Sequence, residues 1–121
     1  MPNTDADAWP KELRLSPDKA TLTVSFEDGA RYALGAEYLR VESPSAEVQG
    51  HTAAQKQTVA GKRGVKIAGL EPVGNYAVRI LFDDGHDTGL YSWSWLHELG
   101  RDRERKWADY LKALRTGRLE R

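Results

Sequence analysis

The chain has 121 residues, room for one domain and too few for two, because separate cores need on the order of 100 residues each. Lys plus Arg and Asp plus Glu both number 18, so no global field of either sign recruits nucleic acid or an anionic membrane at long range. With no cysteine there is no disulfide, no thiolate nucleophile and no cysteine-ligated zinc or iron–sulfur site.

The charge is unevenly spread. From Arg101 to Arg121 eight residues are basic and four acidic, which leaves the first hundred with ten basic and fourteen acidic. Residues 1–8 are polar and acidic, unlike a signal peptide, and are expected to be a disordered N-terminus. No apolar run approaches the roughly 18 residues of a membrane span. The expected setting is cytoplasmic, with no membrane partner.

Trp9-Pro10 opens an extended segment in which Leu13 and Leu15 face one way and Glu12 and Arg14 the other. Leu22, Val24 and Phe26 then alternate with Thr21, Thr23 and Ser25, and after Asp28-Gly29 the alternation resumes at Tyr32 and Leu34, a hairpin signal. Gly29 suits the turn because a tight hairpin needs a positive φ, which glycine reaches at little cost. Ala36 to Val41 reads as a short helical turn, and Ser43 to Gly64, small and polar without periodicity, as loop.

Val65 and Ile67 restart the strand pattern, and Pro72-Val73-Gly74-Asn75 supplies turn chemistry. Tyr76, Val78, Ile80 and Phe82 form the strongest alternating run and predict a central strand. A second turn at Asp83-Asp84-Gly85 leads through Leu90 and Tyr91 to Ser92, whose hydroxyl caps a helix entering at Trp93. Trp93, Leu96 and Leu99 make one helical stripe, and Trp107, Tyr110, Leu111 and Leu114 another, with an interruption near Gly100.

Phe26-Glu27-Asp28-Gly29 aligns with Phe82-Asp83-Asp84-Gly85, and Leu34 with Leu90. Either an old duplication or two hairpins obeying the same physics would give this. The fold class that follows is α+β: a mostly antiparallel β-sheet built from hairpins, with a short helix and a C-terminal helix covering one face.

The sharpest chemical cluster is Asp83-Asp84-Gly85-His86-Asp87, three carboxylates and an imidazole in a turn. It lacks calcium-loop spacing, and acidic residues with glycine are what a hairpin turn prefers anyway. His97-Glu98 has no histidine four residues on, so the zinc-protease pattern is missing and His97 reads as a partly exposed surface residue. Gly61-Lys62-Arg63-Gly64 lacks the earlier glycine and the following Ser or Thr of a phosphate loop, and no Gly-x-Ser-x-Gly elbow occurs. The basic tail is interleaved with Asp102, Glu104 and Asp109, the pattern of a helix surface held by ion pairs. No catalytic residue, no cofactor and no nucleic-acid partner is expected.

Three segments together are distinctive: Leu39-Arg40-Val41-Glu42-Ser43-Pro44-Ser45-Ala46-Glu47-Val48, Gly74-Asn75-Tyr76-Ala77-Val78-Arg79-Ile80, and Asp84-Gly85-His86-Asp87-Thr88-Gly89-Leu90-Tyr91-Ser92-Trp93. In these the chain resembles the N-terminal domain of gamma-butyrobetaine hydroxylase-like proteins, over about Trp9 to Gly100. The resemblance implies a domain at 9–100, with 101–121 as a C-terminal helical extension. In that family the domain stands alone in bacteria, precedes an iron- and 2-oxoglutarate-dependent hydroxylase domain, or sits beside iron–sulfur carrier ATPases; the hydroxylase chemistry belongs to the other domain.

The resemblance also implies a zinc site of a Cys-x-Cys-x-x-Cys run and one histidine, whose positions here are Ser43, Ser45, Val48 and His86. Serine stays protonated near neutral pH and valine is no ligand, so the site is degenerate and no metal is expected. Either His86 is a relic that packs or hydrogen-bonds, or it joins His51 and a carboxylate such as Asp87 in a different, weaker site. The expected function is a small accessory or protein-interaction domain with an unidentified protein partner. The alternative is a metal- or small-molecule-binding domain tied to iron-dependent oxygenase or iron–sulfur pathways.

Overall fold

A computed structural model of the chain describes residues 9–50 and 56–121. The expectations for residues 1–8 and for His51 lie outside the described residues. β2 (Thr21–Phe26) buries Leu22, Val24 and Phe26 and turns its hydroxyl residues outward, as a period of two requires. It is the middle strand of an antiparallel sheet, between β1 (Pro10–Leu15) and β3 (Arg31–Gly35). Helix α1 (Ala36–Val41) follows β3 directly.

The stretch expected to be loop contains one turn of helix, α2 (Ala46–Gln49), because the Ser45 hydroxyl accepts the Glu47 N–H and so caps it. β4 (Ile67–Val73), β5 (Ala77–Phe82) and β6 (Leu90–Ser92) form a second antiparallel sheet with β5 in the middle. The fold is α+β and its antiparallel sheet structure is built from hairpins, as the sequence implies, with the strands divided between two three-stranded sheets. Pro72 and Val73, read as turn, end β4; β4 is an edge strand, where proline's missing N–H is tolerated. Tyr76, read as part of the central strand, lies in the turn and is 56% exposed.

Ser92 caps α3 (Trp93–Arg101) by accepting the Trp95 N–H at 3.1 Å. The helix breaks at Asp102, and α4 (Arg103–Gly117) continues. Leu22, Phe26 and Leu34 from the first sheet meet Ile67, Ile80 and Phe82 from the second in one core, closed by Tyr38 and Leu39 of α1 and Leu96 and Leu99 of α3. α4 lays Tyr110 and Leu114 on Val41, a smaller cluster that Val59 and Ala60 border. The α3 and α4 tryptophans are half-buried; Trp9 is the one exposed tryptophan among the described residues.

The likeness between the two hairpins reaches well beyond their turns. Gly29 and Gly85 both sit at φ +93°, and Ala30 and His86 each donate their N–H to the aspartate two residues earlier, at 2.9 and 3.0 Å. The register of the outer strand slips at matching places, between Pro10 and Glu12 opposite Phe26 and between Ile67 and Gly69 opposite Phe82. Each three-stranded meander then runs straight into a helix. A repeated βββα unit describes the domain better than two unrelated hairpins, and it places His86 in the second unit where Ala30 stands in the first.

Candidate functional site

Two segments meet at one end of the molecule: the chain from Ser43 through α2, and the turn that follows β5. Asp84 fixes the turn by accepting the His86 N–H, which holds the imidazole over the first segment, buried at 7% exposure. His86 Nε2 lies 2.8 Å from Ser43 Oγ, and His86 Nδ1 lies 3.1 Å from Glu47 Oε2. Thr88 ties the same segments: its hydroxyl is 2.7 Å from Ser45 Oγ and donates to Glu47 Oε2 at 3.1 Å. Gln49 donates to the Ser43 carbonyl at 2.8 Å.

The donor and acceptor inventory fixes the tautomer of the neutral ring. A carboxylate only accepts, so Nδ1 carries the proton and donates to Glu47, and Nε2 accepts the Ser43 hydroxyl. Ser43 Oγ in turn accepts the Ser45 N–H at 3.2 Å. Burial, and after it the Arg40 charge, lowers the His86 pKa from its ordinary value, against the opposing pull of Glu47 and Asp84. The ring is therefore held neutral at physiological pH.

Serine, histidine and carboxylate stand here in the order of a hydrolytic triad. The resemblance stops at access. Ser43 is fully buried, and Gly89 packs so closely that a Cβ there would stand 2.6 Å from Ser43 Oγ. An acyl group has no approach to the hydroxyl, so in this conformation the array clamps two segments together.

Beside the clamp, Asp84 Oδ2 takes Arg40 Nε at 2.8 Å and Lys62 Nζ at 2.6 Å. Burial alone would raise the Asp84 pKa; the Lys62, His86 N–H and Arg40 hydrogen bonds outweigh it and bring it to about 2. Lys62, read as part of a solvated loop, is thus an ion-pair partner. Arg40 Nη1 is buried with no hydrogen-bond partner among the described residues. Tyr91, in the floor beneath Ser43, donates its hydroxyl to the Leu39 carbonyl.

Of the residues singled out from sequence, Ser43 and His86 touch, Ser45 reaches the same network through Thr88, and Val48 is buried in α2. The carboxylate that meets the His86 ring belongs to Glu47; Asp87 is exposed, and its backbone carbonyl accepts from Arg79. Glu47 and Thr88 lie in the segments that carry the resemblance, but nothing local marks them as partners, since 41 residues separate them. His97 is not a surface residue: it is 7% exposed, edge-on to Phe26 at 4.8 Å, with Nε2 2.9 Å from Asp28 Oδ2.

A second feature lies on the surface. An open groove of about 580 Å³ runs between the free edge of β3 and the α3–α4 corner, with Arg31, Arg101, Arg103 and Arg105 against Asp102 and Glu104. Arg103 and Glu104 are shared with a neighbouring notch of about 330 Å³ whose other walls include Tyr38 and Trp107. The two cavities adjoin at Arg103 and Glu104 as neighbouring parts of one trough, the first mainly cationic in charge and the second mainly apolar.

The family model for gamma-butyrobetaine hydroxylase-like N-terminal domains matches residues 13–97, which span both sheets, the clamp and most of α3. The chain belongs to this family. Two solved solution structures are similar to this gamma-butyrobetaine hydroxylase-like N-terminal domain: one is 43% identical, with 94% of this chain and 90% of that chain covered and a TM-score of 0.81. The other is 42% identical over 100% of this chain and 90% of that chain, with a TM-score of 0.83. A crystal structure of a protein of unknown function from the DUF971 family of Acidithiobacillus ferrooxidans is 37% identical, covering 75% of this chain and 91% of that one, with a TM-score of 0.63. No curated protein matches the chain.

Of the positions singled out by the resemblance, Ser43, Ser45, Val48 and His86, the structure brings Ser43 against His86. Among the described residues no group of three or more His, Cys, Asp or Glu side chains is placed to hold a metal.

Proposed function

We propose that this chain is a non-catalytic accessory module that binds a protein partner. The observation that carries the reading is the trough of two adjoining open cavities along β3, α1 and the start of α4, walled by both charged and aromatic side chains. Its floor at one end is an edge strand, a shape suited to another polypeptide. The clamp also supports the reading: the hydroxyls of Ser43, Ser45 and Thr88 and both His86 nitrogens are spent on one another and on Glu47.

Site-specific photo-crosslinking in cells of the source organism tests this. A photoreactive residue placed at Ala33, in the trough, is expected to give a discrete heteromeric adduct, and one placed at Glu71, on the second sheet, is expected not to. Equal adduct patterns from the two positions, or none from either, would refute the module reading.

A further inference from the structure

We propose that the trough accepts an acidic, extended peptide segment of the partner that carries a bulky apolar side chain at one end. This rests on the interaction-module reading and names the partner's chemistry.

Asp102 is committed, with Arg101 at 2.9 Å and Arg105 at 3.4 Å on its carboxylate. Arg31 and Arg103 are exposed and have no carboxylate partner among the described residues. Arg103 is nonetheless held in place: one terminal nitrogen donates to the Ala33 carbonyl at 2.8 Å. The rest of its planar fork remains available in a fixed position, the arrangement that favours a carboxylate over a point-charge partner.

The shape of the occupant follows from the strand. The Ala33 carbonyl points away from β2, since it meets Arg103, and in an edge strand the N–H of the same residue points the same way. A chain laid along β3 therefore meets one outward N–H between two guanidinium groups. Five strand residues at about 3.3 Å each give a floor of roughly 17 Å, longer than a lone carboxylate or phosphate needs. Beyond Arg103 the trough turns apolar, with Tyr38 and Trp107 as its walls. Glu37 brings little negative field there, because Arg121 holds it at 2.7 Å. Glu104 is the one acidic wall without an ion-pair partner among the described residues, and it opposes an acidic occupant.

Titration of the 15N-labelled chain, followed by amide shifts, tests the proposal. The probe is an acetylated hexapeptide amide, Asp-Glu-Asp-Val-Leu-Val, compared with Lys-Lys-Lys-Val-Leu-Val and with sodium acetate. The acidic peptide is expected to move the amides of residues 31–35 and 100–107, the lysine peptide to leave them in place, and added salt to weaken binding. Arg31→Glu and Arg103→Glu are each expected to weaken binding about tenfold. Glu104→Lys should tighten it roughly threefold, an opposite sign that a damaged fold cannot produce. Unmoved amides with the acidic peptide, or the same shifts from acetate alone, would overturn the proposal, the second outcome marking a small-anion site. If crosslinks at Ala33 form while the acidic peptide does not bind, the module reading stands and the acidic partner is wrong.

Discussion

The imidazole of His86 and the hydroxyl of Ser43 lie 2.8 Å apart across 43 residues of sequence, and both are buried. The pair joins the α2 segment to the β5–β6 turn at the positions where the family resemblance implies a metal. A hydrogen-bonded clamp thus occupies ground for which the resemblance implies coordination bonds, and its strength and pH dependence follow from its geometry.

His86→Ala strands the buried Ser43 hydroxyl without its acceptor and removes the ring that Glu47 faces. The expected loss is on the order of 1–3 kcal/mol, read as a lower urea midpoint with unchanged slope. Ser43→Ala strands His86 Nε2 instead. The double variant should cost less than the sum of the two, because each single change already breaks the shared bond. Strict additivity would mean that the bond contributes nothing to stability.

The clamp should also weaken in mild acid. His86 has a folded-state pKa below its ordinary value of 6.5, so between that lowered value and 6.5 the unfolded chain binds the extra proton and the native state does not. Stability is full above about pH 6.5 and falls as pH drops through this window. His86→Gln should flatten the fall. Asp84, brought to about 2 from 3.8, contributes stability above pH 3.8 that is lost towards pH 2, a separate and lower step. Denaturant midpoints collected from pH 8 to pH 2 on both proteins check the two windows.

Gly100→Ala should destabilise, although alanine in place of glycine within a helix ordinarily stabilises by up to about 1 kcal/mol. A Cβ at residue 100 would stand 2.1 Å from Tyr32 Cγ, an atom too near its own backbone to move aside. The expected net loss is on the order of 1–3 kcal/mol by thermal melting, and it should shrink in a Tyr32→Ala background. A rise in Tm for Gly100→Ala alone would mean that α3 does not pack on β3 as described.

Ser43→Cys, Ser45→Cys and Val48→Cys together would restore the thiolate donors implied by the resemblance, with His86 as the fourth ligand. Native mass spectrometry with added zinc is expected to find one ion per chain in this triple variant, and none once His86→Ala is added. Stoichiometric zinc on the unaltered chain, lost with His86→Ala, would show instead that the hydroxyls and His86 form a metal site of their own.

The sequence by itself determined most of the local structure, the exceptions being Pro72, Val73 and Tyr76 around the β4–β5 turn and the single turn of α2. Alternation at Leu22, Val24 and Phe26, and at Val78, Ile80 and Phe82, fixes which strand faces are buried, because side chains on a strand point alternately to its two sides. Asp28-Gly29 and Asp84-Gly85 fix the turns, because each needs a positive φ, and Ser92 fixes where α3 begins. The family segments singled out the stretch from Ser43 to Val48 and His86 before their contact was visible. Only the tertiary structure decided that the hairpins make two sheets, that His97 is buried against Phe26, that Glu47 and not Asp87 faces the His86 ring, and that Arg31 and Arg103 share a groove. Turns, caps and alternation depend on a few neighbouring torsions and are written locally; contacts between residues 40 or more positions apart depend on how whole elements pack, which no short window of sequence contains.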